Sequence, residues 1–500
     1  MHKSRSSSQL SNLFNIVPSR PLIRPDWWPQ AFAPTRQKLT LRLGSLKIGD
    51  MSGASPVEPG IAELLTVAQA IRIIDQSPVE PRMQRRPLLE SAGFRLAEDL
   101  RTDRDYPPFR KSLMDGYAVR CQDILKTPAE LQCVGEIAAG QSAKAPLEAG
   151  QAMAIMTGAP LPDGADGVVP VEDVERRAAP GEAIRVLRAP SPNRYIAQRG
   201  SDGAVGKVVL RRGTILGPAQ IGVAASIGAA SVNVFLPPRV AVLGTGSELA
   251  PIDGPVENTQ IRNSNTPMLA ALLRRLGCDV TDLGFVRDEP PVIRDAILRG
   301  LEFDAIFIAG GMSMGEYDFV PLILKDLGVT TKITKLRIKP GKPFLFGSRE
   351  RVAGKDAAPA GTSQSPANTA SSENPGSSDS AKLCYVFGLP GNPVSAFVCT
   401  LRLASRLLTR IGGGMVEERW LTGRLDGGLT VNGPREFYQP AIRTVAPGAY
   451  SSRSEFAMIT PLDWKGSADL FTLAKANVIL VRAENEPPIP KGSVVRALEI

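Results

Sequence analysis

Five short loops carry the residue types in this chain that are best suited to phosphate chemistry. As a group they combine glycines, which let backbone amides approach a ligand, with hydroxyl, lysine and carboxylate side chains. Glu248, Asp288 and Asp318 are hard oxygen ligands of the kind that Mg²⁺ prefers. Any one carboxylate alone fits a helix cap or a surface ion pair equally well, and Asp318 most of all, because a predicted helix follows it. Together the loops predict a site for a phosphorylated anion, and they cover residues 244–248, 287–289, 310–318, 339–343 and 389–393.

Other chemistries are excluded by what the chain lacks. Its one histidine is His2, so catalytic triads with a histidine base and histidine-ligated metal sites are ruled out. The five cysteines are odd in number and show no Cys-x-x-Cys spacing, which indicates a reducing compartment and argues against zinc. The chemistry must therefore use carboxylates, lysines, hydroxyls and backbone amides.

The elements that would position these loops begin near residue 239, where strands alternate with helices. Alternation of this kind predicts βαβ units in a mostly parallel, doubly wound sheet. Ligands bind such sheets outside the carboxyl ends of the strands, where the five loops fall. Asn265 is a candidate N-cap for the first helix and Gly277 closes it. The predicted strands are 240–243, 279–283, 305–308 and 333–338, and the predicted helices are 268–276, 291–301, 319–327 and 394–409.

The flanking regions follow other patterns, and a chain of 500 residues is expected to form several domains. Residues 64–100 predict an opening helical unit, and short Val/Ile runs between residues 117 and 234 predict small β units. A Ser/Ala/Gly/Pro-rich stretch at 348–381 is interpreted as a disordered insertion at a surface hairpin. The predicted domains are a tail at 1–60, N-terminal helical and β domains at 61–236, the α/β domain at 237–411 and a small β domain at 415–500.

The net charge of +9 is concentrated in the tail, where residues 1–50 hold eight Lys or Arg and two Asp. We interpret this tail as a disordered, solvated segment, so no nucleic-acid partner is expected. Met51 is a candidate alternative start of the protein. Because no run approaches the about 18 apolar residues of a membrane span, we expect a soluble, cytoplasmic protein.

Several stretches jointly resemble the molybdopterin molybdenumtransferase family, which includes the bacterial molybdate-insertion enzymes and the E domain of gephyrin. The resemblance extends from about residue 61 to residue 500, apart from the insertion. It is carried by Ser-Leu-Met-Asp-Gly-Tyr-Ala at 112–118, Ile-Met-Thr-Gly-Ala at 155–159, Gly-Ala-Asp at 164–166, Arg-Gly-Ser-Asp at 199–202 and the five loops.

What the resemblance implies is an elongated homodimer that inserts molybdate into adenylylated molybdopterin. The reaction would release AMP and molybdenum cofactor with the help of Mg²⁺, after possible handover of the substrate from a molybdopterin adenylyltransferase. The central α/β domain would be the molybdopterin-binding domain, and the site would lie between this domain of one subunit and the N-terminal domains of its partner. No protein cysteine is required, because the dithiolene sulfurs that bind molybdenum belong to the pterin.

The resemblance also assigns residues. The family's functional acids fall on Asp115, Asp202, Glu248, Asp288 and Asp318, its threonine on Thr157, and its lysines on Lys335, Lys339 and Lys342. Of these, Glu248, Asp288 and Asp318 are the candidate metal ligands. The candidate substrate-binding residues are Gly244, Thr245, Gly246, Gly310, Gly311, Ser313, Gly315, Pro340, Gly341, Pro390, Gly391, Asn392 and Ser467.

Three positions depart from the family pattern. Arg110 and Lys111 stand where an Asp-Asn pair is usual, Ser247 replaces a common Asp beside Glu248, and Gln439 occupies a position where Arg is frequent. These departures leave open a catalytically divergent paralogue. Anion capture by the C-terminal domain is not expected here.

Three alternatives remain open at this point. An adenylyltransferase acting on molybdopterin has a related α/β domain, but it lacks the extra N- and C-terminal domains. A scaffold that anchors a peptide in the crevice predicts an exposed aromatic groove near a domain boundary, which nothing in the sequence marks. A pterin dehydrogenase or other nucleotide-binding enzyme predicts a third glycine after Gly244-Thr245-Gly246, and the chain continues to Leu249 without one.

Overall fold

The computed structural model describes residues 64–175, 179–312, 319–351, 382–445 and 457–500. The predicted tail at 1–60 lies outside the described residues, as do Ser313, Gly315 and Asp318 and the part of the predicted insertion from 352 to 381. No helix within the described ranges is both long and apolar enough to cross a membrane.

The first element is helix α1, Val67–Asp75. The Thr66 hydroxyl accepts a hydrogen bond from the Gln69 N–H (3.1 Å), and the Gln69 side chain accepts one from the Thr66 N–H (2.8 Å), so a capping box fixes the start of the helix. The prediction of a helix here is confirmed, but its continuation as a helical unit to residue 100 is wrong. Residues 83–87 instead form a strand that pairs with residues 231–235, a distant partner that local periodicity cannot indicate.

The rest of the N-terminal region is mostly β structure, arranged in one five-stranded, one three-stranded and two two-stranded sheets. It also contains helix α2, Pro218–Ser226, which the sequence pattern did not predict. The strands are β1 Met83–Pro87, β2 Arg95–Leu96, β3 Leu100–Arg101, β4 Lys111–Ser112, β5 Gly116–Val119, β6 Ala129–Ile137, β7 Gln151–Ile155, β8 Gly167–Pro170, β9 Ala183–Val186, β10 Ile196–Ala197, β11 Val208–Leu210 and β12 Ser231–Phe235.

The central region contains the predicted α/β domain. Its strands are β13 Arg239–Thr245, β14 Leu249–Ala250, β15 Ile261–Arg262, β16 Asp279–Val286, β17 Ala305–Ala309, β18 Thr330–Lys335, β19 Ile338–Lys339, β20 Pro343–Glu350 and β21 Leu383–Leu389. Its helices are α3 Asn265–Arg275, α4 Pro290–Gly300, α5 Val320–Asp326, α6 Pro393–Cys399 and α7 Ser405–Ile411. A π-helical turn, Thr400–Ala404, joins the last two helices.

The six-stranded central sheet has the order β16-β13-β17-β21-β20-β18. Its neighbours β16, β13, β17 and β21 are parallel, and β20 runs antiparallel to both of its neighbours. Successive residues of β13 point to opposite faces, so Val240 and Val242 join the core beneath α3, α6 and α7, whereas Ala241 and Leu243 join the core beneath α4 and α5. Helices cover both faces, which confirms the doubly wound fold class.

Three local expectations in this domain need correction. The N-cap of α3 is Ser264, and Asn265 is the first residue of the helix. The predicted strand 333–338 is split into β18 and β19, and β19 pairs with the C-terminal domain. The predicted insertion begins too early at residue 348, because β20 and β21 form an antiparallel hairpin up to the pair Glu350 and Leu383.

The C-terminal region is a small β structure whose five strands close on themselves, because β25 pairs back with β23, and β19 of the α/β domain adds a sixth strand beside β23. It also includes the short helix α8, Leu470–Leu473. The strands are β22 Trp420–Leu425, β23 Glu436–Thr444, β24 Met458–Pro461, β25 Val478–Arg482 and β26 Val494–Glu499.

Two arginines of the 393–411 helical segment connect the three regions. Arg402, in the π-helical turn, donates to the Tyr438 hydroxyl of β23 (3.0 Å) and to Glu418 (2.9 Å). Arg406 donates to Asp75 at the end of α1 (2.9 Å) and to the same Glu418 (2.8 Å). The α/β domain is therefore joined to both of its neighbours through one helical segment.

The edge of the central sheet opposite the five loops is held by a buried carboxylate. Asp304, just before β17, forms ion pairs with Arg351 (2.9 Å) and Arg82 (3.3 Å), and it accepts a hydrogen bond from the Arg239 N–H (2.7 Å). Replacing Asp304 by Ala would leave two arginines facing a buried gap, so we expect a loss of about 3 kcal/mol of unfolding free energy. Urea denaturation checks this, and a loss below about 0.5 kcal/mol would contradict it.

Candidate active site

The five predicted loops meet at one edge of the central sheet. Four of them follow β13, β16, β17 and β21, which are parallel and therefore end at the same edge. The fifth, at 339–343, precedes β20 instead of following a strand. Because β20 is antiparallel to β21, its first residues lie at the edge where β21 ends. We call this group of loops the crevice.

Asp288 connects the first two loops of the crevice. The Ser247 N–H donates to Asp288 Oδ2 (2.9 Å), and the Asp288 N–H donates to Ser247 Oγ (3.2 Å). The Gly246 N–H also donates to the Val286 carbonyl (3.1 Å). Ser247, one of the departures from the family pattern, therefore acts as a reciprocal hydrogen-bond partner that orients the Asp288 carboxylate.

Glycines allow the next loops to approach each other closely. The Gly310 N–H donates to the Leu389 carbonyl (3.2 Å), and Gly310 has a φ of 106°, in the region that favours glycine. A Cβ at Gly310 would collide with the Thr245 carbonyl and lie 2.9 Å from Thr245 Oγ1. Thr245 Oγ1 is itself buried and has no hydrogen-bond partner among the described residues. The strand ends are thus in contact with little room for side chains.

Gly310→Ala tests this close packing. The new methyl group would meet backbone atoms and force an unfavourable φ, so we expect a loss of unfolding free energy roughly 2 kcal/mol larger than that of Gly277→Ala. Gly277 is a matched control because it also has a positive φ, 83°, but a Cβ added there would have no atom within 4 Å. Chemical denaturation of the two variants makes the comparison, and equal losses would show that the loop tolerates a side chain.

The 389–393 loop joins the crevice to two other elements. The Asn265 side-chain amide donates to the Gly391 carbonyl (2.7 Å). Asn265 therefore links helix α3 to this loop instead of capping the helix as predicted. The Asn392 amide donates to Ser467 Oγ (2.8 Å), and the Val394 N–H donates to the Ser467 carbonyl (3.0 Å). Ser467, predicted from the resemblance alone, is therefore placed at the crevice by the C-terminal domain.

A turn in the C-terminal domain fixes Ser467. Asp469 accepts hydrogen bonds from the Lys465 N–H (3.0 Å) and from the Thr472 N–H at the start of α8 (3.0 Å). These hydrogen bonds, that of the Lys465 N–H first, hold the pKa of Asp469 below its usual range. Asp469 therefore remains an ionised acceptor that shapes the loop carrying Ser467.

The three predicted lysines border the crevice. Lys335 is half-buried at the end of β18, where it pairs with Pro343, whereas Lys339 and Lys342 are exposed. The loop between them is tight, because Gly341 has a φ of 117° and a Cβ there would lie 2.6 Å from Cys399 Sγ. Within the described part of the chain, none of the three lysines forms an ion pair with an acidic side chain. Their ammonium groups are available to an anion.

The candidate metal ligands are oxygen donors on adjacent loops. Glu248 is exposed, and its carboxylate lies against Gly246, where a Cβ would be 2.6 Å from it. Asp288 is half-buried and oriented by Ser247. No group of three or more His, Cys, Asp or Glu residues that could hold a metal is formed by the described residues, and the third predicted ligand, Asp318, lies outside them. The donor chemistry of Glu248 and Asp288 fits a hard divalent cation.

Asp115 and Thr157 form a second group, in the N-terminal region. Asp115 immediately precedes β5, which is antiparallel to β7, so Asp115 lies opposite the residues that follow β7. Asp115 Oδ1 accepts hydrogen bonds from both the backbone N–H and the hydroxyl of Thr157, each 2.7 Å long. Two predicted residues separated by 42 positions are thus in direct contact.

Asp202 lies in the same region. It follows β10, which pairs with β4 just before Asp115. Its carboxylate accepts a hydrogen bond from the Ser201 hydroxyl (3.0 Å), and its N–H donates to the Tyr106 carbonyl (2.9 Å). The predicted site residues that the structure describes therefore fall into two groups, one in the N-terminal region and one at the crevice.

The remaining departures from the family pattern have local partners. Arg110 donates to the Ala165 carbonyl (3.2 Å), and Gln439 donates to the Leu462 carbonyl (3.0 Å). All five cysteines are free and buried, and burial raises the pKa of the Cys278, Cys384 and Cys399 thiols to about 12. Buried protonated thiols are poor nucleophiles, so these cysteines contribute to packing as small apolar side chains.

Two contacts at the crevice carry no signal in the sequence pattern. The position of Asn265 before Pro267 indicates a helix cap. It does not indicate the hydrogen bond that the Asn265 amide donates to Gly391. Phe437 of β23 lies nearly a hundred residues after Lys339, yet the Lys339 ammonium lies 4.9 Å from the centre of its ring. Nothing in the sequence links these two residues, since only the pairing of β19 with β23 brings them together.

Comparison with known proteins identifies two parts of the chain. Residues 65–228 match the family model of the MoeA N-terminal region, domains I and II. Residues 241–410 match the family model of a probable molybdopterin binding domain.

Relatives of known sequence or structure cover most of the chain. The molybdopterin molybdenumtransferase of Haemophilus influenzae is 33% identical over 359 residues, which are 71% of this chain and 79% of that protein. The protein of the same name from Nostoc sp. is 29% identical over 417 residues, 82% of this chain and 86% of the relative. The crystal structure of the molybdopterin biosynthesis MoeA protein from Pyrococcus horikoshii OT3 has a TM-score of 0.68 and 26% identity, and it covers 88% of this chain and 100% of that one.

Proposed function

The chain belongs to the molybdopterin molybdenumtransferase family and is a transferase, and we propose that it inserts molybdate into adenylylated molybdopterin at the crevice and releases AMP. The observation that carries the proposal is the meeting of five loops at one sheet edge, with glycine amides, three lysines and two carboxylates. In this reaction, an oxygen of water or of molybdate bonds to phosphorus as the phosphoanhydride that joins AMP to the pterin breaks. Molybdenum exchanges oxygen ligands for the two dithiolene sulfurs of the pterin.

We propose that the glycine loops and the lysines bind the phosphate groups. The glycines at 310, 311 and 391 have no side chain that would keep a phosphate away from the backbone of these loops. Lys335, Lys339 and Lys342 would neutralise negative charge on the phosphoanhydride and on molybdate, and this stabilisation grows as charge collects on the departing AMP. Ser467 and Asn392 would close the wall of the crevice on the side of the C-terminal domain.

We propose that Mg²⁺ is held by Glu248 and Asp288, together with Asp318. When bound, Mg²⁺ supplies positive charge beside the phosphoanhydride. The Ser247 backbone N–H donates a hydrogen bond to one oxygen of Asp288, so the carboxylate is oriented before a cation binds. Chelation of divalent cations should therefore lower AMP release.

We further propose that the protein is a homodimer whose active site combines the crevice of one subunit with Asp115, Thr157 and Asp202 of its partner. The division of the predicted site residues into two groups in different regions supports this arrangement. The Thr157 hydroxyl donates to Asp115 and would hold that carboxylate in place at the subunit boundary. A cytoplasmic location, and handover of the substrate from a molybdopterin adenylyltransferase, complete the proposal. The five free cysteines agree with a reducing compartment.

The experiment that tests the function incubates the purified protein with adenylylated molybdopterin, Mg²⁺ and molybdate. AMP release is followed with and without molybdate, and with EDTA in place of Mg²⁺. Molybdate-dependent release is the expected result. Bound but unreacted substrate would instead indicate a divergent paralogue or a scaffold, and formation of adenylylated molybdopterin from ATP would indicate an adenylyltransferase.

A further inference from the structure

Lys339 lies where the crevice meets the C-terminal domain. Its strand β19 pairs in parallel with β23, and the register sets Lys339 beside Phe437. The same segment is anchored by the ion pair between Arg337 and Glu484 (3.1 Å) and by a bridge from Leu336 to Leu65. The backbone of Lys339 is thus held by contacts from two neighbouring regions.

The ammonium group of Lys339 is held by an aromatic ring and not by a carboxylate. Its Nζ lies 4.9 Å from the centre of the Phe437 ring, within the about 6 Å over which a cation–π attraction acts. Lys339 forms no ion pair within the part of the chain that the structure describes. A carboxylate partner would neutralise the charge, whereas an aromatic ring restrains the ammonium group and leaves its N–H donors for an anion.

The Phe437 ring is itself supported. Trp464 lies 6.1 Å from it, centre to centre, with a tilt of 31° between the ring planes. Both rings are half-buried, and Trp464 packs against the main hydrophobic core. Gln439, two residues after Phe437 on the same strand, donates to the Leu462 carbonyl and supplies no cation. The described contacts of the C-terminal domain with the crevice therefore include a supported ring beneath a lysine.

We propose that Phe437 is a positioning residue, which acts by holding the Lys339 ammonium group at the point where it binds the phosphoanhydride oxygens of the substrate. This inference rests on the proposed function, because that function identifies the anion. The C-terminal domain would thus contribute to the reaction through Phe437, without an anion-binding arginine of its own.

The first test is a double-mutant cycle on molybdate-dependent AMP release. Phe437→Leu removes the ring and is expected to lower kcat/KM about two- to fivefold, the range of an exposed cation–π contact, whereas Phe437→Tyr and Phe437→Trp should retain activity. Lys339→Ala should cost roughly a hundredfold. In the Lys339→Ala background, Phe437→Leu should have no further effect. Phe471→Leu is the matched control, because it makes the same change in another ring of the C-terminal domain that is 86% exposed.

A second series changes only the electronics of the ring. Phenylalanine analogues with one, two and five fluorines, introduced at position 437, should lower kcat/KM progressively, because fluorine withdraws electron density from the ring face. Shape and packing change little along the series. An unchanged kcat/KM across it, or multiplicative effects in the double-mutant cycle, would overturn the proposal and leave Phe437 with a structural role.

A third measurement separates this inference from the proposed function. Lysines are ¹³C-methylated, and the Lys339 resonance is assigned by its loss in Lys339→Arg. That resonance should lie upfield of exposed lysines in the native protein and in Phe437→Tyr but not in Phe437→Leu. Inorganic pyrophosphate, a probe of phosphoanhydride binding, should shift it, with weaker apparent affinity in Phe437→Leu. If the native protein released no AMP, the proposed function would fail, but the upfield position of the Lys339 resonance and its response to pyrophosphate would still support the positioning role of Phe437. If both effects were absent, the positioning role would be overturned, whatever the activity of the protein.

Discussion

Asp288→Ala is expected to lower molybdate-dependent AMP release by at least about a hundredfold while the protein stays folded. The substitution removes a carboxylate from a loop and not from the core. It costs one hydrogen bond between two loops, that of the Ser247 N–H to the carboxylate, whereas the Asp288 N–H can still donate to the Ser247 hydroxyl. If the carboxylate holds Mg²⁺ as proposed, the loss of its charge removes stabilisation that is strongest as AMP departs. AMP release and a thermal unfolding curve, measured on the same preparation, check both parts.

Two variants sharpen this prediction. Asp288→Asn can still accept the hydrogen bond from the Ser247 N–H but lacks the charge, so it should be nearly as impaired as Asp288→Ala. Asp279→Ala removes the same charge from the opposite end of β16, far from the crevice, and should leave AMP release unchanged. Full activity of Asp288→Asn together with an inactive Asp288→Ala would restrict Asp288 to holding the loop and would remove it from the metal site.

A mixture of two inactive variants should recover activity. Asp115→Ala and Glu248→Ala are each expected to be at least about a hundredfold impaired, because each removes a charged group from one half of the proposed shared site. When the two chains are coexpressed, a mixed dimer contains one site with both mutations and one site with neither. Random pairing would then give roughly a quarter of the native rate of AMP release, since half of the dimers are mixed and each has one working site.

The same mixture discriminates between a shared site and a site within one chain. If Asp115 and Glu248 of the same chain formed the site, every site in the mixture would carry a mutation and activity would stay at the level of the single variants. A mixture of Glu248→Ala with Asp288→Ala is the matched control, because both residues lie on adjacent loops of one crevice. That control should show no recovery.

The crevice is predictable from the sequence because its signals are local. Glycine, lysine and carboxylate residues recur where each apolar strand segment ends, and strands that alternate with helices must end at a common edge. The resemblance assigns Asp115 and Thr157 to the site but does not predict a contact between them. The contact becomes visible when β5 and β7 are paired, because a hydrogen bond across 42 residues leaves no trace in periodicity.

What the sequence does not reveal depends on distant pairing. The pattern predicts a loop after a strand for Lys339, yet this residue belongs to a short strand that pairs with the C-terminal domain. The family pattern identifies Ser247 only as the replacement of a common Asp, that is, of a possible metal ligand or cap. In the structure it forms reciprocal hydrogen bonds with Asp288, 41 residues away. The expected helical unit up to residue 100 gives way to strands, because β1 finds its partner in β12. Each case reflects a tertiary contact that overrides or adds to a local tendency.

The pairing of β20 with β21 ends on the side of the sheet away from the crevice. Its last pair is Glu350 and Leu383, and the Arg351 N–H donates to the Lys382 carbonyl (2.7 Å). The seven residues of β21 run from this last pair to the 389–393 loop, a distance of about 20 Å. Chain length between Arg351 and Lys382 can therefore change over evolution at little cost to the chemistry. For the same reason, a fluorescent label or a tether for surface immobilisation attached at the exposed Lys382 would be anchored at the end of β21 that lies away from the crevice.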